Sequence, residues 1–286
     1  MVQLELESRF GMIEKLCPTD ERWLDRGVEL LKADGVFILE RVLDRALCEL
    51  LTQASLKAQH QILCEVGLQR LEAADEDGIV RFPLKYQPEF SALLEAPLVN
   101  VLVSNYLSPT AICHLMNAIL LKPANESTEV TAPRFQSTFH RDFPRFTGEV
   151  PLSVNSFYCL GDFNDSNGST RFIVGSHRSA SPTVDAFEWS SSSVEAVAGS
   201  VIFFDSTIWH AGGVNTTSTI RAGVNVQWTH HWIKQQIDLV RYIGEDQCRE
   251  FSPLIRQRLG CDARVVTSLQ EYYVPREQRM YKGSQG

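Results

Sequence analysis

No stretch of this sequence approaches the roughly 20 consecutive apolar residues that a membrane-spanning helix needs. The N-terminal segment MVQLELESRFGMIEKLCPTDERW carries charges throughout and has no apolar run of signal-peptide type. The seven cysteines (17, 48, 64, 113, 159, 248 and 261) are scattered, odd in number and contain no CxxC pair. That usage argues against a zinc ribbon and suits free thiols in a reducing compartment better than a disulfide framework. Also missing is any run of Lys or Arg. With a formal net charge of −8, the chain offers no stripe that could track phosphates. Internal repeats and low-complexity linkers are absent as well. A cytoplasmic monomer or homodimer is expected, with a small-molecule partner and neither nucleic acid nor membrane.

What is present is enough apolar sequence, 44% of 286 residues, to bury a substantial core. Apolar residues recur at helical spacing from Trp23 through Leu31, with Thr19 as the expected N-cap and Gly35 as the expected C-cap. The short apolar run Val36–Leu39 has strand length. A second helix is expected from Asp44 to Val66, and the acidic stretch Glu72–Gly78 reads as a surface loop. Pro88 to Val103 again looks helical.

From Ala111 the texture changes to short strands separated by Gly, Asn, Ser and Pro clusters: Ile112–Lys122, Ser153–Leu160, Thr170–Val174, Ser200–Phe204 and Ile220–Thr229. The run Ser190–Ser193 reads as a surface turn. Helices followed by β-rich sequence predict one α+β domain, mainly β at its heart, with a sandwich or barrel core. In the last strand Ile220, Ala222, Val224, Val226 and Trp228 share one face. Arg221, Gly223, Asn225, Gln227 and Thr229 share the other, which faces either solvent or a barrel cavity.

The chemistry concentrates in His140-Arg141-Asp142, His210 and Arg221. His140 and Asp142, one residue apart, point to the same side of an extended segment. His210 must come from a strand beside them. Two imidazoles and one carboxylate can occupy one face of an octahedral ion and leave the other open, the pattern of non-haem Fe(II) oxygenases. 2-Oxoglutarate would chelate two of the open positions and leave one for O₂. Its distal carboxylate, buried, needs a fixed cation, and the forked guanidinium of Arg221 matches it. Expected metal-binding and catalytic residues are therefore His140, Asp142 and His210, with Arg221 as the cosubstrate anchor.

The run Phe139–Asp142 is followed by Leu160-Gly161-Asp162-Phe163, Asn167–Thr170 and Val174-Gly175-Ser176-His177. Gly199–Asp205 then leads to Trp209-His210, Asn215 and Arg221. Together, from about Leu115 to Thr229, this sequence resembles the phytanoyl-CoA dioxygenase family. The resemblance implies a double-stranded β-helix (jelly-roll, cupin-like) core with flanking N-terminal helices, and Fe(II), 2-oxoglutarate and O₂ as cofactor and cosubstrates. On that frame residues 1–110 are helical support, 111–230 the core with the metal site, and 231–286 a C-terminal extension of a single domain, 1–286.

Many members of the family carry a hydroxyl residue two positions after the distal histidine, to help hold the cosubstrate. Here that position is Gly212, and Asn117, Asn225 and Thr219 are the candidate replacements. Substrate contacts are expected from Phe143, Arg145, Phe146 and Trp228. Related halogenases lack the carboxylate, so Asp142 points to hydroxylation, or to desaturation, ring closure or demethylation begun by the same hydrogen abstraction. The expected substrate is a secondary-metabolite or amino-acid-like intermediate, since no basic cluster suited to a CoA tail is evident. A non-catalytic jelly-roll binding protein and a cupin-type Zn²⁺ isomerase or hydrolase are the competing readings. His177 is expected to serve structure by tying a loop at the barrel end.

Overall fold

A computed structural model describes residues 12–124, 135–143, 148, 150–179 and 191–279. Its first half alternates short strands with helices: β1 (Lys15–Leu16), α1 (Trp23–Ala33), β2 (Val36–Leu39), α2 (Arg45–Val66), α3 (Leu68–Ala73), β3 (Ile79–Arg81), α4 (Ser91–Glu95) and α5 (Pro97–Tyr106). Strands then dominate: β4 (Ile112–Leu121), β5 (Ser153–Cys159), β6 (Thr170–Phe172), β7 (Ser192–Ser193), β8 (Val201–Asp205), β9 (His210–Gly212) and β10 (Arg221–Thr229). Four short helices close the described chain: α6 (Leu239–Ile243), α7 (Glu245–Glu250), α8 (Pro253–Arg258) and α9 (Leu269–Tyr272).

The helix ends follow local chemistry, with one correction. Asp44 caps α2, its carboxylate accepting from the Leu47 N–H at 2.7 Å. At the end of α1, the N–H groups of Asp34 and Gly35 both bond to Leu30 O, and Gly35 takes φ +80°. Thr19, however, does not cap α1: its hydroxyl pairs with Cys17 Sγ, and α1 begins at Trp23 with no side-chain cap. The helix expected over Pro88–Val103 is broken at Ala96, whose ψ of 112° is non-helical. Pro97 forces this, because its ring disfavours the helical conformation of the residue before it.

Seven strands form a mixed sheet in the order β1-β2-β8-β5-β10-β4-β3, and a three-stranded sheet, β7-β6-β9, completes the jelly roll. Ser192–Ser193, expected as a turn, is an edge strand paired with β6. Ile79–Arg81, unmarked by any pattern, pairs with Ile119–Asn117 and closes the other edge of the large sheet.

Both faces of that sheet are buried, and the two-residue alternation of strands divides them. Phe37, Leu39, Val201, Phe203, Val154, Tyr158, Val224 and Trp228 pack with α2 and α5 in one cluster. Val36, Ile38, Ile202, Phe204, Phe157 and Cys159 meet Phe163 and Phe172 in a second, between the sheets. This is why β2 and β8 read as unbroken apolar runs. The C-terminal helices join the first cluster through Leu239, Val240, Ile243 and Ile255. Arg258, 3% exposed, donates to the carbonyls of Pro109 and Ala111 and to Asn100 Oδ1. No helix among the described residues is long and apolar enough to cross a membrane.

Candidate metal centre

The HxD segment lies against β9 through a two-bond bridge: His140 N–H donates to His210 O at 2.9 Å and His210 N–H to His140 O at 3.0 Å. Each imidazole then turns its Nδ1 to a carbonyl two residues upstream, His140 to Thr138 O (2.8 Å) and His210 to Ile208 O (3.1 Å). A carbonyl only accepts, so Nδ1 carries the proton and Nε2 keeps its lone pair for a Lewis acid. Both Nε2 atoms stand 3.7 Å from Asp142 Oδ1.

The three donors lie within 4.8 Å of one another, spacings that admit an ion at ordinary bond lengths of about 2.0–2.2 Å. The imidazole of His210 is wedged between Phe172 and Phe204, with ring centroids 5.7 and 5.0 Å away. Burial among these rings holds the His210 pKa below its usual range, against the pull of Asp142. A neutral imidazole is the form a metal takes.

The centre opens into a cavity of about 270 Å³ between the two sheets. The polar face of β10 lines it through Arg221, Asn225 and Gln227, so that face looks inward rather than to solvent. Arg221 is 6% exposed, and among the described residues its Nε and Nη1 have no hydrogen-bond partner. Its guanidinium sits 4.4 Å from the Phe163 ring centroid and 5.9 Å from that of Phe157. Desolvation lowers its pKa to about 10, so it remains a cation at neutral pH. A buried cation with unpaired donors is costly unless an anion meets it, and a carboxylate fits its fork. Gly223 makes the approach possible: a Cβ there would stand 2.5 Å from Phe157 and 2.9 Å from Phe163.

The other anticipated residues divide. Asn117 lines the cavity, but with its amide turned to match its neighbours it accepts from Arg81 Nη1 at 2.8 Å and donates to Met116 O at 2.9 Å. Asn225 lies opposite Asn117 in register and donates to Asn155 Oδ1, while its own Oδ1 is buried without a partner among the described residues. Thr219 is exposed in the turn before β10 and bonds only through its backbone, its carbonyl accepting from Asn215 and Thr217 and its N–H donating to Thr217 Oγ1; it is not a cavity residue.

Trp228 is also corrected. It is fully buried on the helix-facing side of β10, its Nε1–H bonded to Ser156 Oγ at 2.9 Å, because strand alternation turns it away from the cavity. Phe143 does not line the cavity either, its N–H donating to Ser206 O. Arg145 and Phe146 lie outside the described residues. His177 plays the anticipated structural part, Nε2 donating to Lys32 O at 3.1 Å where Gly35 leaves room for its ring.

Three features of the cavity and its surroundings had no signal in the sequence. Thr170 lines the cavity and pairs with Gly212 across β6 and β9, bringing a hydroxyl to where Gly212 has none. At Gly212 itself a side chain would meet Gln136 O at 3.2 Å. Arg81 enters from β3 at the sheet edge. His114 is the extra residue where the β10–β4 register shifts between Gln227 and Trp228, a bulge that brings it within electrostatic reach of Asp142.

The sequence model of the family described as Phytanoyl-CoA dioxygenase (PhyH) matches residues 31–223. The uncharacterized protein Rv1501 of Mycobacterium tuberculosis is 38% identical over 266 residues, covering 92% of this chain and 96% of its own. Among solved structures, the non-heme alpha ketoglutarate dependent epimerase SnoN from nogalamycin biosynthesis aligns with a TM-score of 0.54 at 19% identity, over 73% of this chain and 82% of its own. AviO1 from Streptomyces viridochromogenes Tue57 aligns with a TM-score of 0.55 at 18% identity, over 72% and 94%. At those identities the structural likeness is one of fold.

Proposed function

Because this chain belongs to the phytanoyl-CoA dioxygenase family, we propose that it is an Fe(II)- and 2-oxoglutarate-dependent oxygenase. It acts on a C–H bond of a small organic molecule and releases succinate and CO₂. The observation that carries this reading is one cavity holding both halves of the requirement. At one wall are two lone-pair Nε2 atoms and a carboxylate. Within the same cavity is a buried guanidinium with unmet donors. A hydrolytic zinc centre would leave Arg221 with nothing to hold.

In this reading His140, Asp142 and His210 hold the iron, which when bound supplies O₂ activation. The backbone carbonyls of Thr138 and Ile208 fix both imidazole tautomers before the metal arrives. Arg221 binds the distal carboxylate of 2-oxoglutarate through its planar fork, with the Phe157 and Phe163 rings excluding water from that end. Thr170 supplies the second donor to the same carboxylate in place of a hydroxyl at position 212. Hydroxylation, or a desaturation, ring closure or demethylation from the same abstraction, follows on a secondary-metabolite or amino-acid-like compound.

Anaerobic addition of Fe(II) and 2-oxoglutarate to purified protein tests this. A weak visible charge-transfer band should develop in the wild type and be lost in His140→Ala. A wild-type spectrum that does not change, together with unaltered metal affinity in the variant, would defeat the proposal.

A further inference from the structure

Beyond the anchor and the metal ligands, five neutral amides share the cavity lining with Asp75, Asp77, Arg81, Lys122 and Arg141. Asn117, Asn225, Gln227, Gln136 and Gln236 all contribute to it. The other cations that share the lining each have partners, although Arg141 Nε is buried without one among the described residues. Arg81 is held by the Glu76 carboxylate and by Asn117. Lys122 is chelated by both oxygens of Asp77, at 2.8 and 2.9 Å. Arg141 donates to the carbonyls of Ser176 and Ser179 and stacks on Trp209 at 4.8 Å. Among the described residues this leaves Arg221 as the cavity cation without a carboxylate or carbonyl partner, and the proposed cosubstrate takes it.

Among these amides Asn225 has a defined polarity. A hydrogen-bond relay fixes its carboxamide: Nδ2 donates to Asn155 Oδ1 at 3.0 Å, and Asn155 Nδ2 donates to Ser206 Oγ at 2.8 Å. The Oδ1 atom is left as a buried acceptor with no hydrogen-bond partner among the described residues. 2-Oxoglutarate at neutral pH is a dianion that offers acceptors only, so it cannot satisfy this oxygen wherever it lies. A buried carbonyl oxygen left unpaired is costly, so a ligand O–H or N–H aimed at it gains that difference.

We propose that the substrate enters as an uncharged, hydroxyl-bearing molecule whose O–H donates to Asn225 Oδ1, and that Asn225 selects substrate rather than holding cosubstrate. Polyols and glycosides have this chemistry. Acyl-CoA thioesters and free carboxylic acids carry charge instead, and among the described residues each lining cation other than Arg221 already has a hydrogen-bond partner. The inference rests on the oxygenase reading and narrows it.

The test uses the full-length, Fe(II)-loaded protein with two readouts: 2-oxoglutarate affinity from the visible band, and succinate formed above the substrate-free background. The probes are methyl glycosides, inositols, palmitoyl-CoA, a phenylpropionate and free amino acids. Neutral hydroxylated probes should raise succinate formation at least about fivefold, while palmitoyl-CoA and the carboxylates leave it at background. Asn225→Leu should abolish that stimulation and leave 2-oxoglutarate affinity within twofold of wild type. Stimulation by anionic probes, or by none of the neutral ones, overturns the proposal. So does a tenfold loss of 2-oxoglutarate affinity in Asn225→Leu, which would assign the residue to the cosubstrate. Absence of the visible band in the wild type, before any probe is added, removes the oxygenase reading itself and is thereby distinguishable.

Discussion

Arg221 shows how a single side chain can be committed to a ligand by what surrounds it. Its guanidinium is desolvated by two phenyl rings and has two N–H-bearing nitrogens without partners among the described residues, a burial that an anion would offset. Two charge-assisted hydrogen bonds contribute about 3 kcal/mol or more, roughly a hundredfold in affinity. Arg221→Ala should therefore weaken 2-oxoglutarate binding about a hundredfold in a titration of the visible band, with Fe(II) affinity little changed. Arg221→Lys, which keeps the charge and loses the fork, should fall between. The pKa of about 10 places the loss of charge well above neutrality, so the guanidinium is cationic throughout the range below it. Cosubstrate affinity should be flat between about pH 6.5 and 8.5; a drop with rising pH in that range would contradict the assignment.

The functional element is β10, a strand with two distinct tasks. Its odd-numbered residues carry Arg221, Asn225 and Gln227 into the cavity and set Gly223 against the Phe157 and Phe163 rings, and its even-numbered ones carry Ala222, Val224, Val226 and Trp228 into the helix-facing core. Substitutions on the two faces should separate cleanly. Trp228→Ala removes a fully buried indole and its bond to Ser156, and should cost about 3–5 kcal/mol in chemical denaturation. Gly223→Ala introduces a methyl 2.5 Å from Phe157 and should instead displace the rings that bracket Arg221. Its expected signature is a loss of 2-oxoglutarate affinity of about tenfold or more with a smaller change in stability, since overpacking costs about 1–3 kcal/mol. The division of β10 into two faces was legible from its alternation. Which face looked inward was not, because alternation is the same whether the second layer is protein or water.

Across the whole molecule, the jelly roll is stabilised from outside by segments that carry no motif. The C-terminal helices cover the core that α2 and α5 share with the large sheet, and Arg258 ties them down at Pro109, Ala111, Asn100 and Ser104. Arg258→Ala leaves those acceptors buried and unpaired. It should destabilise the protein by about 3 kcal/mol and expose residues after 230 to limited proteolysis, with the metal site initially intact. No local pattern announced this clamp: Arg258 acquires its role only from carbonyls nearly 150 positions upstream.

His140, Asp142, His210 and Arg221, the residues proposed to hold the metal and the dicarboxylate, could be picked out from residue type, order and spacing, because such ligands impose those demands on any chain that binds them. The strand segments followed from apolar alternation, since burial selects residues locally. Tertiary structure alone paired Thr170 with Gly212, made His114 a bulge, brought Arg81 to Asn117 and left Asn225 Oδ1 without a donor. Each of these depends on the register between strands distant in sequence. Register is set by the packing of both sheet faces at once, a condition no single segment encodes.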